Sequence, residues 1–123
     1  MKVLLIGAAG FAGAVSRYFV GVWLGRRSTT SFPWATLLVN VSGCFALGLL
    51  MALFADRVVP NPEVRAALTV GFLGAYTTFS TFAYDSLKLG EDGAAGLATA
   101  NIVVSVAAGI AAAWLGTVVG RAI

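Results

Sequence analysis

The chain has 123 residues, of which 59% are apolar and 11% are charged, and its formal net charge is +3. A soluble domain has about 25% charged residues, so this composition predicts an all-α membrane protein whose surface faces membrane lipid. The chain has no histidine and one cysteine, which excludes a histidine-based triad, a disulfide framework and a structural zinc site. Its basic residues form no run or stripe, so nucleic acid is not an expected partner.

Charges, prolines and turn residues divide the chain into four predicted transmembrane spans. A span needs about 20 apolar residues, so four spans and their connections leave no room for an extramembrane domain. The sequence therefore predicts a single transmembrane domain over residues 1–123, with spans at about 3–25, 33–55, 63–89 and 96–120.

The first two spans carry isolated polar residues. Arg17 lies inside the first span, either as an ordinary snorkelling residue or as a source of positive charge in a vestibule. In the second span Thr36 and Asn40 are four residues apart and therefore share one helix face. Because an asparagine in a membrane helix is costly unless it pairs, Asn40 indicates either a helix contact or a pathway.

The middle of the third span has the least regular sequence. Gly71 and Gly74 precede four hydroxyl residues within 77–81. One interpretation is a helix broken between about Gly74 and Thr78, where freed carbonyls or a helix N-terminus bind an ion. The other is a continuous helix whose small residues pack and whose hydroxyls bond back to carbonyls one turn earlier.

Aromatic and polar residues follow in the third and fourth spans. Phe79 and Phe82 are neighbours on a helix, where they either pack or offer electropositive ring edges to an anion. Asp85, one turn later, either caps a partner or lines a vestibule. Asn101 and Ser105 form one more polar face. Polar faces on three spans of one short chain favour a pathway for a small anion.

The loop charges specify no strong orientation in the membrane. Four basic residues fall on the side of the termini and three on the other side: Lys2, Arg57, Arg65 and Arg121, against Arg26, Arg27 and Lys88. Since such residues set the orientation of a membrane protein, a difference of one allows insertion in both directions, unless Arg17 or one dominant loop decides.

Three motifs follow one another in the first three spans. They are Gly10-x-x-Gly13-Ala14-x-x-Arg17-Tyr18, Pro33-x-x-Thr36-Leu37-x-Val39-Asn40-x-x-Gly43, and Gly71-Phe72-x-Gly74 before Thr77-Thr78-Phe79-Ser80-Thr81-Phe82. In this order and spacing the chain closely resembles the Fluc-type (CrcB) fluoride channels of bacteria. The resemblance implies an antiparallel, dual-topology homodimer in the cell inner membrane that passively exports fluoride through two pores, and not an enzyme.

The resemblance also implies roles for individual residues. Asn40, Phe79, Phe82, Thr81 and Ser105 line the fluoride pores, and Thr36 is assigned to the same pore because it shares the face of Asn40. Arg17 and Asp85 lie toward the wider vestibules. The third helix is broken at the membrane midplane, where the backbone carbonyls of Gly74 and Thr77 bind a structural sodium ion. Ala35 and Asn101 depart from the family pattern, which leaves the role of Asn101 open.

Two other classes of protein compete with this interpretation. Small four-helix multidrug exporters have a similar length and dual topology, but they couple transport to protons through a carboxylate in the first span. The first span here contains no Asp or Glu. The second alternative is a non-conducting accessory subunit with packed polar faces.

Overall fold

The computed structural model describes residues 1–56 and 60–123, so the assignment of Arg57 to one side of the membrane lies outside the described residues. Within these ranges all regular structure is helical. Three spans are continuous helices: α1 (Lys2–Gly25), α2 (Trp34–Asp56) and α6 (Ala95–Ala122). The third span, Pro62–Glu91, is built from shorter pieces. All four spans are long and apolar enough to cross a membrane, and their ends lie close to the predicted ones.

The third span begins with a well-capped short helix, α3. The side chain of Asn61 accepts a hydrogen bond from the Glu63 N–H at 2.9 Å, and Pro62 occupies the first helical position. Both features favour helix initiation, because the cap satisfies a free N–H and proline has none to lose. Four pieces follow in order: α3 (Pro62–Ala66), the π-helical segment π1 (Ala67–Leu73), α4 (Gly74–Tyr76) and α5 (Phe79–Glu91).

The backbone between α4 and α5 leaves helical geometry at two residues. Thr77 (φ −82°, ψ 160°) and Thr78 (φ −151°, ψ 117°) are extended. Thr78 is the N-cap of α5, since its Oγ1 accepts the Thr81 N–H at 3.1 Å. Gly74 keeps helical angles, so the extended backbone is confined to Thr77 and Thr78 and does not begin at Gly74, where one of the two interpretations of the sequence placed a break. Threonine explains the position, because its β-branched side chain suits extended backbone and its hydroxyl caps a helix.

Glycines set the spacing between the long helices. A Cβ at Gly48 of α2 would collide with the Ala113 carbonyl oxygen of α6, and one at Gly116 of α6 would collide with the Phe45 carbonyl oxygen of α2. A Cβ at Gly13 of α1 would likewise meet the backbone of π1. Small residues at these points let helix backbones approach closely. Helices in lipid associate through such van der Waals packing, because the hydrophobic effect does not drive them together there.

Large apolar side chains cover the outside of the bundle. Phe11 and Phe19 on α1 and Ile110 and Trp114 on α6 are each between 64% and 73% exposed. Such a surface is unfavourable in water but fits hydrocarbon, because apolar side chains can face lipid while the helices satisfy their backbone groups internally. The buried interior holds a few aliphatic side chains together with polar groups, including Asn101, whose exposure is 0%.

Candidate functional site

The extended backbone at Thr78 is held by one side chain from α2. Asn40 Oδ1 accepts the Thr78 N–H at 2.7 Å, and Asn40 Nδ2 donates to the Thr78 carbonyl oxygen at 2.9 Å. The asparagine amide therefore pairs with both backbone groups of one residue, as a neighbouring strand would. An unpaired backbone group inside a membrane span is energetically unfavourable. This pair of hydrogen bonds therefore stabilises the interruption. Asn40 retains its second amide hydrogen for another acceptor.

A second contact from α2 lies two residues further along the same helix. Ser42 Oγ is 2.9 Å from the Tyr76 hydroxyl at the end of α4. Gly43 provides the space for the Thr77 side chain, since a Cβ there would collide with Thr77 Cγ2. Together with Asn40, these residues fix the whole segment 76–78 against α2.

The interruption releases carbonyl oxygens from helical bonding. In a continuous helix the Thr78 N–H would bond the Gly74 carbonyl, but here it bonds Asn40 instead. No backbone N–H of the described residues bonds the Thr77 carbonyl. Both residues line the same cleft. These oxygens therefore provide the type of ligand that a hard cation prefers.

A cleft of about 360 Å³ lies beside the interruption. It brings together most of the residues to which the sequence assigned a site role: Asn40, Gly74, Thr77, Phe79, Phe82 and Ser105. The rings of Phe79 and Phe82 are 5.7 Å apart between centroids, and Phe79 is 79% exposed. The cleft thus combines hydroxyl and amide groups with aromatic rings and is open on the side of Phe79.

The remaining assigned residues lie elsewhere. Arg17, Thr36 and Thr81 line a second cavity of about 350 Å³, and Thr78 borders both this cavity and the cleft. Within the described ranges Arg17 forms no hydrogen bond or ion pair and supplies positive charge to this second cavity. The interrupted segment accordingly lies between the cleft and this second cavity.

Asp85 occupies a place distinct from that of Arg17. Its Oδ2 accepts a hydrogen bond from Thr36 Oγ1 at 2.7 Å, which ties α5 to α2 across 49 positions of sequence. Asp85 borders a small cavity of about 140 Å³ that is also lined by Lys88 and Asp92. The hydroxyl hydrogen of Thr36 is therefore directed at a carboxylate.

Sequence reasoning assigned no role to three residues that organise this region. Ser42 and Tyr76 anchor α4, and buried Asn101 donates from Nδ2 to Ser86 Oγ at 2.9 Å. The spacing of Asn101 and Ser105 signalled a shared polar face. No sequence pattern indicates that the partner of the Asn101 amide is Ser86, 15 positions earlier.

Comparison with known proteins relates the chain to one family. The family model described as "CrcB-like protein, Camphor Resistance (CrcB)" matches residues 4–117. A protein named "Fluoride-specific ion channel FluC" from Acidobacterium capsulatum is 45% identical over 123 residues, covering 100% of this chain and 98% of the relative. Another of that name from Solibacter usitatus is 45% identical over 121 residues, covering 98% and 99%. "Fluoride-specific ion channel FluC 1" from Symbiobacterium thermophilum is 46% identical over 124 residues, covering 98% of each.

Replacing Asn40 tests whether it holds the interrupted backbone. In Asn40→Leu both backbone groups of Thr78 lose their partner, and each unsatisfied group costs roughly 1–3 kcal/mol. We expect faster amide hydrogen exchange over residues 76–82, measured by mass spectrometry. Ser16→Ala, which removes only a hydrogen bond within one turn of α1, serves as the matched control. Unchanged exchange at Thr78 in Asn40→Leu would show that other contacts hold the segment.

Proposed function

Since this chain belongs to the CrcB-like family, we propose that it is a multi-pass ion channel that passively conducts fluoride out of a bacterial cell. The observation that carries this proposal is the likeness to proteins named as fluoride-specific channels over 98% to 100% of the chain. These relatives are ion channels and not enzymes. The proton-coupled exporter has no support, because α1 holds Arg17 and no carboxylate.

The chemistry of the two cavities fits a small, strongly hydrated anion. A pore for such an ion must replace water with close donors, and it must hold the ion weakly enough for release. Ser105 and Thr81 supply hydroxyls, Asn40 has an amide hydrogen to spare, and Phe79 and Phe82 present ring edges of positive potential. Arg17 attracts anions to the second cavity. The donors, the ring edges and Arg17 favour an anion over a cation along this route.

We infer that a second copy of the chain in the opposite orientation completes the pore. The exposed ring of Phe79 leaves the cleft open on one side, and four short helices do not enclose a pathway alone. Loop charges of four against three allow both orientations. An antiparallel pair would close two equivalent clefts, giving two pores per dimer in the inner membrane.

A structural sodium ion at the interruption is part of the same proposal. The Gly74 carbonyl is released from helical bonding because the Thr78 N–H bonds Asn40, and the Thr77 carbonyl is released because the Thr81 N–H bonds the Thr78 hydroxyl. Opposed copies of these residues would place four such oxygens near the middle of the membrane on the dimer axis. A monovalent cation there would neutralise their partial negative charge.

Fluoride flux from liposomes containing matched amounts of protein tests the proposed function. We expect wild-type protein to release fluoride, and Phe79→Ile and Phe82→Ile to reduce the rate by about tenfold, which corresponds to about 1.4 kcal/mol. Asn40→Asp should reduce it further, because a carboxylate repels an anion in its path. Phe11→Ile, at an exposed ring on α1, is the control. Normal efflux from all three site variants would place the ion pathway elsewhere.

The orientation of the subunits is tested by labelling a single cysteine. In a Cys44→Ala background, Ser28→Cys in the segment between α1 and α2 should react with an impermeant maleimide from both sides of the membrane, about equally. A one-sided reaction would contradict the dual topology. Permeabilised membranes provide the control for complete labelling.

The sodium site is tested by a high-resolution map of the protein purified in sodium chloride. We expect a peak between the Gly74 and Thr77 carbonyl oxygens of the two subunits. A continuous third helix, or carbonyls that enclose no peak, would rule the site out.

A further inference from the structure

Ser105 differs from the other helical hydroxyls in the direction of its hydrogen bond. In the described helices, every other Ser or Thr beyond the first turn donates to the backbone carbonyl four residues earlier, at 2.6 to 2.9 Å. These residues are Ser16, Ser42, Thr69, Ser86, Thr99 and Thr117. Ser105 donates instead to a side chain, Asn101 Oδ1, at 3.3 Å.

The orientation of the Asn101 amide is set from its other end. Ser86 Oγ donates its hydrogen to the Phe82 carbonyl at 2.9 Å, so toward Asn101 it can only accept. Asn101 Nδ2 is the donor in that pair, at 2.9 Å. The amide oxygen must then face Ser105, and complete burial of Asn101 keeps water from replacing either bond.

The hydrogen bond from Ser105 to Asn101 is weaker than the bond to a backbone carbonyl that the other helical hydroxyls make. O–H···O bonds in proteins are usually 2.5–3.0 Å long, and the bond to Asn101 is 3.3 Å. A hydroxyl that donates to a backbone carbonyl of its own helix at 2.9 Å has its hydrogen occupied by that bond. Ser105 borders the cleft beside Asn40, Phe79 and Phe82, so a loosely held hydroxyl there can turn its hydrogen toward an anion.

We propose that Asn101 is a positioning residue for anion conduction: it diverts the Ser105 hydroxyl from its helix backbone and keeps its hydrogen available to an anion in the cleft. This inference rests on the proposed function, because Ser105 matters only if the anion passes the cleft. Asn101 itself is fully buried and does not border the cleft. Its effect on the ion acts through Ser105.

A double-mutant cycle on fluoride efflux tests the proposal. Asn101→Ala removes the diverting oxygen, so Ser105 should bond the backbone carbonyl at position 101 and become unavailable. We expect Asn101→Ala and Ser105→Ala to lower efflux by the same factor, roughly two- to tenfold, which is the value of one hydrogen bond. The double variant should be no slower than Ser105→Ala. Thr99→Val, which loses a backbone-directed hydroxyl on the same helix, is the control and should conduct normally.

Several results would overturn the proposal. Losses that multiply in the double variant would mean that Asn101 acts independently of Ser105, and wild-type efflux in Asn101→Ala would mean that it does not act at all. Asn101→Leu, which fills the space, replaces Asn101→Ala if the latter does not assemble. Failure of both to form the native assembly would assign Asn101 to folding instead.

The same experiment separates this inference from the proposed function. A wild-type protein without fluoride efflux contradicts the function, whereas multiplying losses in a conducting protein contradict only the role of Asn101. A structure of Asn101→Ala provides an independent readout. We expect Ser105 Oγ within about 3 Å of the carbonyl oxygen at position 101, the usual limit for such bonds. An unmoved hydroxyl would contradict the proposal.

Discussion

The pairing of Asn40 with Thr78 is the interaction on which the site depends. A membrane-spanning chain cannot leave backbone N–H and C=O groups unpaired in hydrocarbon, and this requirement normally keeps a span helical throughout. Here the Asn40 amide satisfies both groups of Thr78, at 2.7 and 2.9 Å. The hydroxyl of Thr78 then caps α5. Without the asparagine, both backbone groups of Thr78 would lose these partners inside the span.

The interrupted segment also lies between two cavities that both contain polar side chains. Thr77 and Thr78 are extended, and Thr78 borders both the cleft and the cavity of Arg17. A continuous helix would fill this space with its own side chains. Glycines make the arrangement compact, since Gly43 lets the Thr77 methyl approach α2 and Gly48 lets α2 approach α6.

The sequence predicted the parts of the structure that depend on local composition. Hydropathy and charge located four spans, because crossing hydrocarbon constrains length and polarity together. The hydroxyl cluster located the region of the interruption. The four-residue spacing of Thr36 and Asn40 placed them on one face, although their partners could not be derived. Thr36 bonds Asp85, 49 positions away, and Ser42 meets Tyr76, 34 positions away. Such pairs depend on how helices pack, and hydroxyls and amides accept many partners.

Hydroxyls near the site differ from the rest in where their hydrogens point. Most helical Ser and Thr residues bond their own backbone, which suits hydrocarbon but leaves no hydrogen for an ion. Thr81 Oγ1 instead accepts from Thr78 Oγ1 at 2.9 Å, and no acceptor for its own hydrogen lies among the described residues. Ser105 is held only by the 3.3 Å bond to Asn101. One such hydroxyl thus borders each cavity, on either side of the segment that Asn40 holds. In the proposed anion route, the positions of the available hydrogens matter more than the number of hydroxyls.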